Sequence, residues 1–286
     1  SNTHSLQAQL FQRSFTPCSG FRPSSFGWVP PISGVEDAPL FHEVAGCILL
    51  CARREDKVIP PSALNEAIAE RVERVESLEG RKLRSKERMS IKDEALAELM
   101  PRALAKSKQI LGYISPSDNL LVIDTANASE AELFINCLRE SLGTLNLVPP
   151  QVKSNPSETF NQWILKRKLP DNFNLGNQCD MVDPEDGSSV NCRRQDLDTQ
   201  EIRNHIESGK VCTKLGIRWH GDLTLSVDKE LILRQIKLES GDDDANDEDN
   251  PIARLDAAFV NMTLEFARFL PALFSALGGE TQSLSS

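Results

Sequence analysis

Hydrophobic residues spaced three and four positions apart predict a long helix in the first third of the chain. The apolar positions, which would share one helical face, are Leu64, Ala67, Ile68, Val72, Val75 and Leu78. Ser62 is predicted to cap the start of this helix, and Ser90 with Asp93 resembles a second helix start. We therefore predict that residues 62–108 form a helical hairpin or arm that projects from a more globular part.

Strand patterns lie on both sides of this arm. Residues 42–55 form an apolar run between polar ends, and residues 109–115 and 119–124 are two more runs separated by a turn. Such runs, bounded by turn residues, indicate strands. A short helix is predicted ahead of them, over residues 5–13.

A helix is predicted over residues 128–143, where Ser129 and Glu132 would form a capping box and Gly143 would end the helix. Residues 145–149 have the pattern of a further strand. The order strand, strand, helix, strand is typical of an α+β unit.

The second half of the chain contains a clear meander. Residues 211–219 alternate between apolar and polar positions, and short turns lead into two more strands at residues 223–227 and 231–238. This pattern predicts a three-stranded antiparallel sheet. Residues 151–195 are weakly patterned, apart from a predicted helix over 157–168.

Two further helices are predicted around the meander. Asp198 and Glu201 would cap a helix that runs to His205, and residues 252–279 have the pattern of an amphipathic C-terminal helix with Pro271 inside it. The predicted fold class is therefore α+β. The predicted parts are a central domain (residues 1–61 and 102–155, joined by a helix over 251–279), a helical arm or tip (62–101) and a base domain (156–250) with the meander at 211–238.

The composition is that of a soluble globular protein, with 40% hydrophobic and 26% charged residues among 286. No apolar run reaches the length of a membrane helix, and the first residues lack the pattern of a signal peptide. The seven cysteines are odd in number and scattered, which favours a reduced, cytoplasmic protein. Cys47 and Cys51 are expected to lie in the core.

Charge is distributed unevenly along the chain. The formal net charge is −10, and residues 239–249 hold seven acids and no base, so the rest of the chain carries only −3. By contrast, six basic residues and one acid, Glu87, lie between Arg81 and Lys92. Segregation of this kind is more informative than the sum of the charges.

The basic stretch predicts a row of cations along the arm. Arg74, Arg81 and Arg88 fall at heptad spacing with Arg84 and Lys92 beside them, so on one continuous helix the row from Arg74 to Lys92 would be about 27 Å long. Acids compensate the first part of the row, but from Arg81 onward compensation is expected to stop. Further basic residues of this region are Lys86, Arg102, Lys106 and Lys108. An uncompensated row would bind a phosphate backbone; the alternative is a solvated helix face.

Other kinds of site are disfavoured. The chain has no glycine-rich phosphate loop, and its four histidines lack metal-ligand spacing. An EF-hand alignment of the acidic tract fails at Asp247 and Ala253, so that tract is interpreted as a solvated loop. We therefore expect no catalytic site, no cofactor and no metal.

Few aromatic residues are available for stacking on single strands, and no recognition-helix or zinc-finger pattern is present. Binding to the duplex backbone, without sequence preference, is the remaining nucleic-acid chemistry.

Many short stretches of the chain resemble the bacterial RdgC family of recombination-associated proteins. They include FTPC (15–18), GWVPP (27–31), CARREDKVIP (51–60), RKL (81–83), LMPRAL (99–104), QDL (195–197) and EIRNHIESGKVCTKL (201–215). The chain departs from the family pattern in two places. Members usually begin with a hydrophobic strand that is not found ahead of the first helix, and Leu104 stands where relatives tend to have phenylalanine.

The resemblance implies a horseshoe-shaped α+β subunit, two of which close into a ring around duplex DNA. It implies a non-enzymatic, nucleoid-associated homodimer with two interfaces that restrains strand exchange by the RecA recombinase. By position, Arg81, Lys82 and Arg102 match residues that face the hole or the tips, and Arg194 with Gln195 matches a pair near the DNA path. The competing hypothesis is a helical-arm scaffold that binds an acidic protein partner.

Overall fold

A computed structural model describes residues 2–32, 37–239 and 251–281. The chain divides into two compact units, Ser1–Leu145 and Asn146–Ser286. Within the described residues the fold is mixed α+β, with seven α-helices and two antiparallel five-stranded sheets. The predicted fold class is confirmed. Residues 240–250, which hold six of the seven acids of the acidic tract, lie outside the described residues, and so does the prediction of a solvated loop there.

The first unit combines one sheet with four helices. Its helices are α1 (Asn2–Phe11), α2 (Pro61–Glu79), α3 (Ser85–Leu99) and α4 (Ala128–Leu142). Its strands are β1 (Ser24–Val29), β2 (Phe41–Val44), β3 (Cys47–Val58), β4 (Leu104–Ser115) and β5 (Leu120–Ile123), in the order β1-β3-β4-β5 with β2 also pairing β3. The sequence analysis did not predict β1, because its residues lie among many turn formers.

The core of this unit forms where α4 covers the sheet. Phe134 of α4 is fully buried, and its ring meets the ring of Trp28 on β1 edge-on, with centroids 5.0 Å apart. The Trp28 indole N–H donates to Ser141 Oγ at 2.9 Å. Gly112 on β4 leaves the space that the Phe134 ring occupies, since a Cβ there would lie 2.6 Å from Phe134 Cζ. The Phe134 side chain thus packs α4 against two strands of the sheet, β1 and β4.

Residues 42–55, which the sequence analysis took as one strand, are a hairpin of β2 and β3. The turn between them is made by Ala45 and Gly46, with φ of 51° and 76°. Two successive positive φ values suit the twist of a two-residue hairpin. The core position of Cys47 and Cys51 is confirmed, since both are buried.

The helical arm is shorter than expected and is broken. It begins at Pro61, and Ser62 makes no capping bond because proline already occupies the first turn. Gly80, with φ of 66°, ends α2 in the left-handed conformation that glycine favours. The second helix begins at Ser85 rather than near Ser90.

Residues 104–108 are strand, not helix. They pair with β3 in the register Val58↔Leu104 to Ile48↔Ile114. The local sequence has no strong pattern here, so pairing with a long neighbouring strand decides the conformation.

Other details of this unit also differ from the prediction. The cap of α4 is Asn127, whose side chain accepts hydrogen bonds from the amides of Ser129 and Glu130, and Gly143 follows the helix as expected. Residues 145–149 form no strand.

The second unit contains the predicted meander within a larger sheet. The strands are β6 (Phe173–Val182), β7 (Ser189–Arg193), β8 (Val211–Trp219), β9 (Leu223–Asp228) and β10 (Leu233–Leu238), in the order β10-β9-β8-β6-β7. The meander is confirmed, while β6 and β7 lie in the stretch that showed no clear pattern. The helices are α5 (Pro156–Lys166), α6 (Gln200–Glu207) and α7 (Pro251–Ala276). Thr199, rather than Asp198, caps α6.

The last helix packs into an aromatic cluster of this unit. Phe269 is fully buried, with its ring centroid 6.2 Å from Phe173 and 5.8 Å from Trp219. By length and composition alone, Ile252–Ala276 could cross a membrane, with a mean hydropathy of 1.2. The sequence analysis had found no such segment. A core helix of a soluble protein passes the same test, and 39% of this window is buried, so a single helix of this kind is weak evidence for a membrane span.

Candidate nucleic-acid interface

The predicted cation row does not lie on one continuous helix. Gly80 ends α2, and the chain turns through residues 80–84 before α3 begins at Ser85. Arg74 therefore lies on one helix and Arg88 on the next. The prediction of a continuous row about 27 Å long is wrong, because it assumed that the helix continues through Gly80.

Glu76 is the centre of the connection between the two helices. Its carboxylate accepts hydrogen bonds from Lys82 Nζ at 2.8 Å, the Leu83 amide at 3.0 Å and an Arg88 guanidinium nitrogen at 3.2 Å. Its side chain is only 13% exposed. Chiefly the bond from Lys82, with that from Leu83, lowers the pKa of Glu76 from 4.5 to about 2. Glu76 therefore holds the turn and two cations of the basic stretch.

Glu87 has the same role at the start of α3. Its carboxylate accepts from both terminal nitrogens of Arg81, at 3.0 and 2.6 Å, and from the Arg84 amide at 2.7 Å. Arg81 also pairs with Glu79 at 2.7 Å. Chiefly the bond from Arg81 lowers the pKa of Glu87 to about 2. The bond to the Arg84 amide satisfies a donor at the helix start, as a capping-box glutamate does.

The basic stretch thus divides into two sets. Arg81, Lys82 and Arg88 are paired with carboxylates, so the expectation that compensation stops at Arg81 is wrong. Arg84, Lys86 and Lys92 form no ion pair within the described residues, and all three side chains are exposed. The sequence could not separate the sets, because Glu76 reaches Arg88 only across the turn.

The second basic group divides in the same way. Arg102 lies in a 3-10 turn after α3, and Lys106 lies on β4; in the described part of the chain neither has an ion-pair partner, and both are exposed. Lys108 donates to both carboxylate oxygens of Glu130, at 2.9 and 2.8 Å. Besides Lys92, four candidate cations of the first unit, Arg84, Lys86, Arg102 and Lys106, are thus available for a ligand; we call these four the open cations.

Arg194 and Gln195 belong to the second unit, immediately after β7. Arg194 is exposed and adopts a left-handed φ of 52°. The Gln195 backbone amide donates to the Asn177 backbone carbonyl at 3.1 Å, and this bond holds residues 194–195 against β6. The preceding residue, Arg193, pairs with Asp180 at 2.6 Å. Of the two neighbouring arginines, Arg193 and Arg194, it is therefore Arg194 whose side chain is open to a ligand.

No group of three or more histidine, cysteine, aspartate or glutamate residues is placed to hold a metal ion within residues 2–32, 37–239 and 251–281. The candidate surface is therefore described by its cations alone.

We expect the Glu76 carboxylate to stabilise the arm in a pH-dependent way. Because its pKa is lowered on folding, its contribution is present above the ordinary pKa of 4.5 and is lost as the pH falls toward about 2. Glu76→Gln should therefore destabilise the protein at pH 7, and its difference from wild type should shrink between about pH 5 and pH 2. Urea unfolding at several pH values measures this difference.

Glu73→Gln is the matched control, because Glu73 lies one turn earlier on α2 and forms no ion pair within the described chain. A constant difference between Glu76→Gln and wild type at all pH values would contradict the role of the ionised carboxylate.

Comparison with known proteins shows one family. A family model described as "RdgC: Putative exonuclease, RdgC" matches residues 1–280. A protein of Aeromonas hydrophila named Recombination-associated protein RdgC is 41% identical over 284 residues, which cover 98% of this chain and 93% of that protein. Proteins of the same name from Pseudomonas putida (GB-1) and Pseudomonas aeruginosa (PAO1) are each 36% identical, over 96% of this chain and 91% and 92% of their own length. The chain therefore belongs to the RdgC family, whose members carry a recombination-associated function.

Proposed function

We propose that the protein binds double-stranded DNA without sequence preference, as a homodimer that closes into a ring around the duplex. By occupying the duplex it would restrain recombination by RecA, and it would be found with the nucleoid. The observation that carries this proposal is the set of open cations, Arg84, Lys86, Arg102 and Lys106, on and beside the arm of a recombination-associated protein.

Duplex DNA suits this surface better than single-stranded DNA. Residues 61–102 contain no phenylalanine, tyrosine or tryptophan, whereas single-strand binders stack bases on aromatic side chains. Arginine and lysine contacts to phosphates carry no sequence information. The surface would therefore bind any duplex with similar affinity.

The paired cations would contribute less than the open ones. To contact a phosphate, Arg81, Lys82 or Arg88 must first leave the carboxylate of Glu76 or Glu87. The energy of the lost ion pair would offset part of the new contact. An open cation such as Arg84 gives up only water and mobile ions, and the release of counterions from the DNA favours binding.

A ring of two identical subunits requires two self-complementary interfaces. We propose the tip of the arm as one of them, where Leu78 and Met89 are 82% and 64% exposed. The other would involve the meander, residues 211–238. In this proposal residues 62–101 are the tip, residues 156–250 are the base, and the horseshoe closes when both pairs of surfaces meet.

The topology of the DNA tests encirclement directly. We expect protein loaded at low salt onto closed circular DNA to remain bound through a high-salt wash, because a closed ring cannot slide off. Cutting the circle once should release it, since high salt removes the electrostatic term and leaves only the topological link. Retention is measured on bead-bound plasmid, before and after cleavage with a single-cutter enzyme.

The same experiment tests for nuclease chemistry. We propose that the protein binds DNA without cleaving it, so the plasmid should be recovered intact in the presence of magnesium or manganese. Release of nucleotides would contradict this. Equal loss from circular and linear DNA would contradict encirclement while leaving duplex binding open.

A second candidate is a scaffold whose arm binds an acidic protein partner. It is favoured by Glu76, Glu79 and Glu87, which show that this surface accepts carboxylates in good geometry. A duplex binder and a scaffold are distinguished by competition, since plasmid DNA should displace an acidic peptide from the arm only if both use the same cations.

A further inference from the structure

Three buried cysteines lie close together on the sheet of the second unit. Cys192 lies on β7, Cys179 on the adjacent strand β6 and Cys212 on β8, the next strand. Cys179 is directly opposite Cys192, while Cys212 is opposite Met181. Cys179 and Met181 are two positions apart and share one face of β6, so the three thiols belong to one buried patch.

The spacing of Cys179 and Cys192 suits a disulfide. In an antiparallel ladder, opposed residues alternate between hydrogen-bonded and non-hydrogen-bonded pairs. Asp183 and Ser188 form a hydrogen-bonded pair, because the Asp183 backbone amide donates to the Ser188 carbonyl at 2.8 Å. The register from there to Cys179 and Cys192 has no shift and covers four positions. Because the two kinds of pair alternate, Cys179 and Cys192 also form a hydrogen-bonded pair. Such pairs have Cα atoms about 5.5 Å apart, which is close to the commonest separation in disulfides.

The surroundings of the thiols favour a disulfide between Cys179 and Cys192 over one between Cys179 and Cys212. Burial, together with the nearby thiols of Cys212 and Cys192, raises the pKa of the Cys179 thiol, so the three thiols lie close together. The thiol of Cys212 donates to the carbonyl of Lys214 at 3.3 Å. Cys212 is also diagonal to Cys179 rather than opposite it, so the direct cross-strand partner is Cys192.

The two cysteines of the pair differ in access. Cys192 is on β7, the edge strand of the sheet, and is 6% exposed, whereas Cys179 is in an interior strand and is fully buried. Burial raises the pKa of the Cys179 thiol, so little of it is thiolate at neutral pH. A small oxidant would therefore reach Cys192 first, and Cys179 would act second.

We propose that Cys179 and Cys192 are an oxidation site at which hydrogen peroxide forms a cross-strand disulfide. The Cys192 thiolate attacks a peroxide oxygen, the O–O bond breaks, and a sulfenic acid and one water result. The Cys179 sulfur then attacks the Cys192 sulfur, the S–S bond forms and the S–O bond breaks, and the proton lost by the Cys179 thiol joins the leaving hydroxide as a second water. In total, two thiols and one hydrogen peroxide give one disulfide and two waters.

The disulfide would join β6 to β7 just before Arg194. The Gln195 backbone amide already donates to the Asn177 carbonyl on β6. The disulfide at Cys192 would attach the chain to β6 on the other side of Arg194. The proposal concerns the chemistry of the second unit and does not depend on DNA binding.

Mass spectrometry of the native full chain tests this site in a Cys18→Ser background, because Cys18 is the one cysteine that is not buried. After treatment with hydrogen peroxide and alkylation in denaturant, we expect two of the six remaining thiols to be lost. Trypsin leaves both cysteines in one peptide, and a second cut after Glu185 gives two peptides joined only by the disulfide. A thiol reductant should restore both thiols.

Two variants complete the test. In Cys179→Ser, Cys192 should stop at the sulfenic acid, which dimedone traps, while Cys212→Ser should form the disulfide as the parent does. Three results would each overturn the proposal. They are a disulfide to Cys212, dimedone labelling of Cys192 to the same extent with and without Cys179, and oxidation only after unfolding in urea. The disulfide-linked peptides are looked for in the Cys18→Ser protein itself. The main test therefore does not depend on the stability of the Cys179→Ser or Cys212→Ser variant.

Discussion

Replacing Arg84, Lys86 and Arg102 together with alanine is expected to lower the slope of log affinity against log salt by about 2.7. Each lost phosphate contact removes about 0.9 from that slope, and these three are open cations without a carboxylate partner in the described structure. The affinity for every duplex sequence should fall by a similar factor, because phosphate contacts do not distinguish bases. Binding isotherms on two unrelated duplexes at several salt concentrations measure both effects.

The matched control replaces the paired cations Arg81, Lys82 and Arg88 with alanine. It removes the same formal charge, so long-range electrostatics change equally, but each of these side chains is held by Glu76 or Glu87. We expect a smaller decrease of the slope in this variant. An equal decrease in both triple variants would show that net charge alone matters, and an unchanged slope in the first would place the DNA elsewhere.

Phe134→Ala is expected to destabilise the first unit by about 3–5 kcal/mol, the usual range for truncating a buried phenylalanine. The ring is fully buried between Trp28 and the backbone of Gly112, so its loss leaves a cavity that the sheet cannot close. Equilibrium unfolding in urea, followed by circular dichroism, measures the change. Two transitions are possible because the chain has two units, and only the one that belongs to the first unit should move.

Leu133→Ala is the control for this variant. Leu133 is the adjacent residue on α4 and is 38% exposed, so its truncation keeps the same helix but removes little buried surface. We expect a change of less than about 1 kcal/mol. Equal losses for the two variants would contradict the position of Phe134 at the centre of the core.

The elements with a strong local pattern were predictable from the sequence. The meander alternates over residues 211–219 and has short turns, and its three strands are confirmed. The helix α4 has apolar positions on one face and stops at Gly143, whose positive φ of 82° suits glycine. In these cases the local preference and the tertiary packing agree, so a local rule is sufficient.

The elements without such a pattern required the tertiary structure. Strands β1, β6 and β7 have few consecutive apolar residues, and their conformation depends on pairing: β1 with β3, β6 with β8, and β7 with β6. Residues 104–108 are a strand for the same reason. The physical cause is that strand hydrogen bonds join residues far apart in the chain, which a local window does not contain.

The candidate site shows the same division. The sequence by itself identified the concentration of positive charge between Arg81 and Lys92, its extension to Lys108, and the family through many short stretches. Only the tertiary structure decided which cations are available to a ligand. Gly80 turns the chain and brings Glu76 against Lys82 and Arg88, while Glu87 holds Arg81, so three of the six basic residues between Arg81 and Lys92 are paired within the arm. Ion pairs depend on distances of a few ångströms between side chains, and those distances are set by the turn and not by spacing in the sequence.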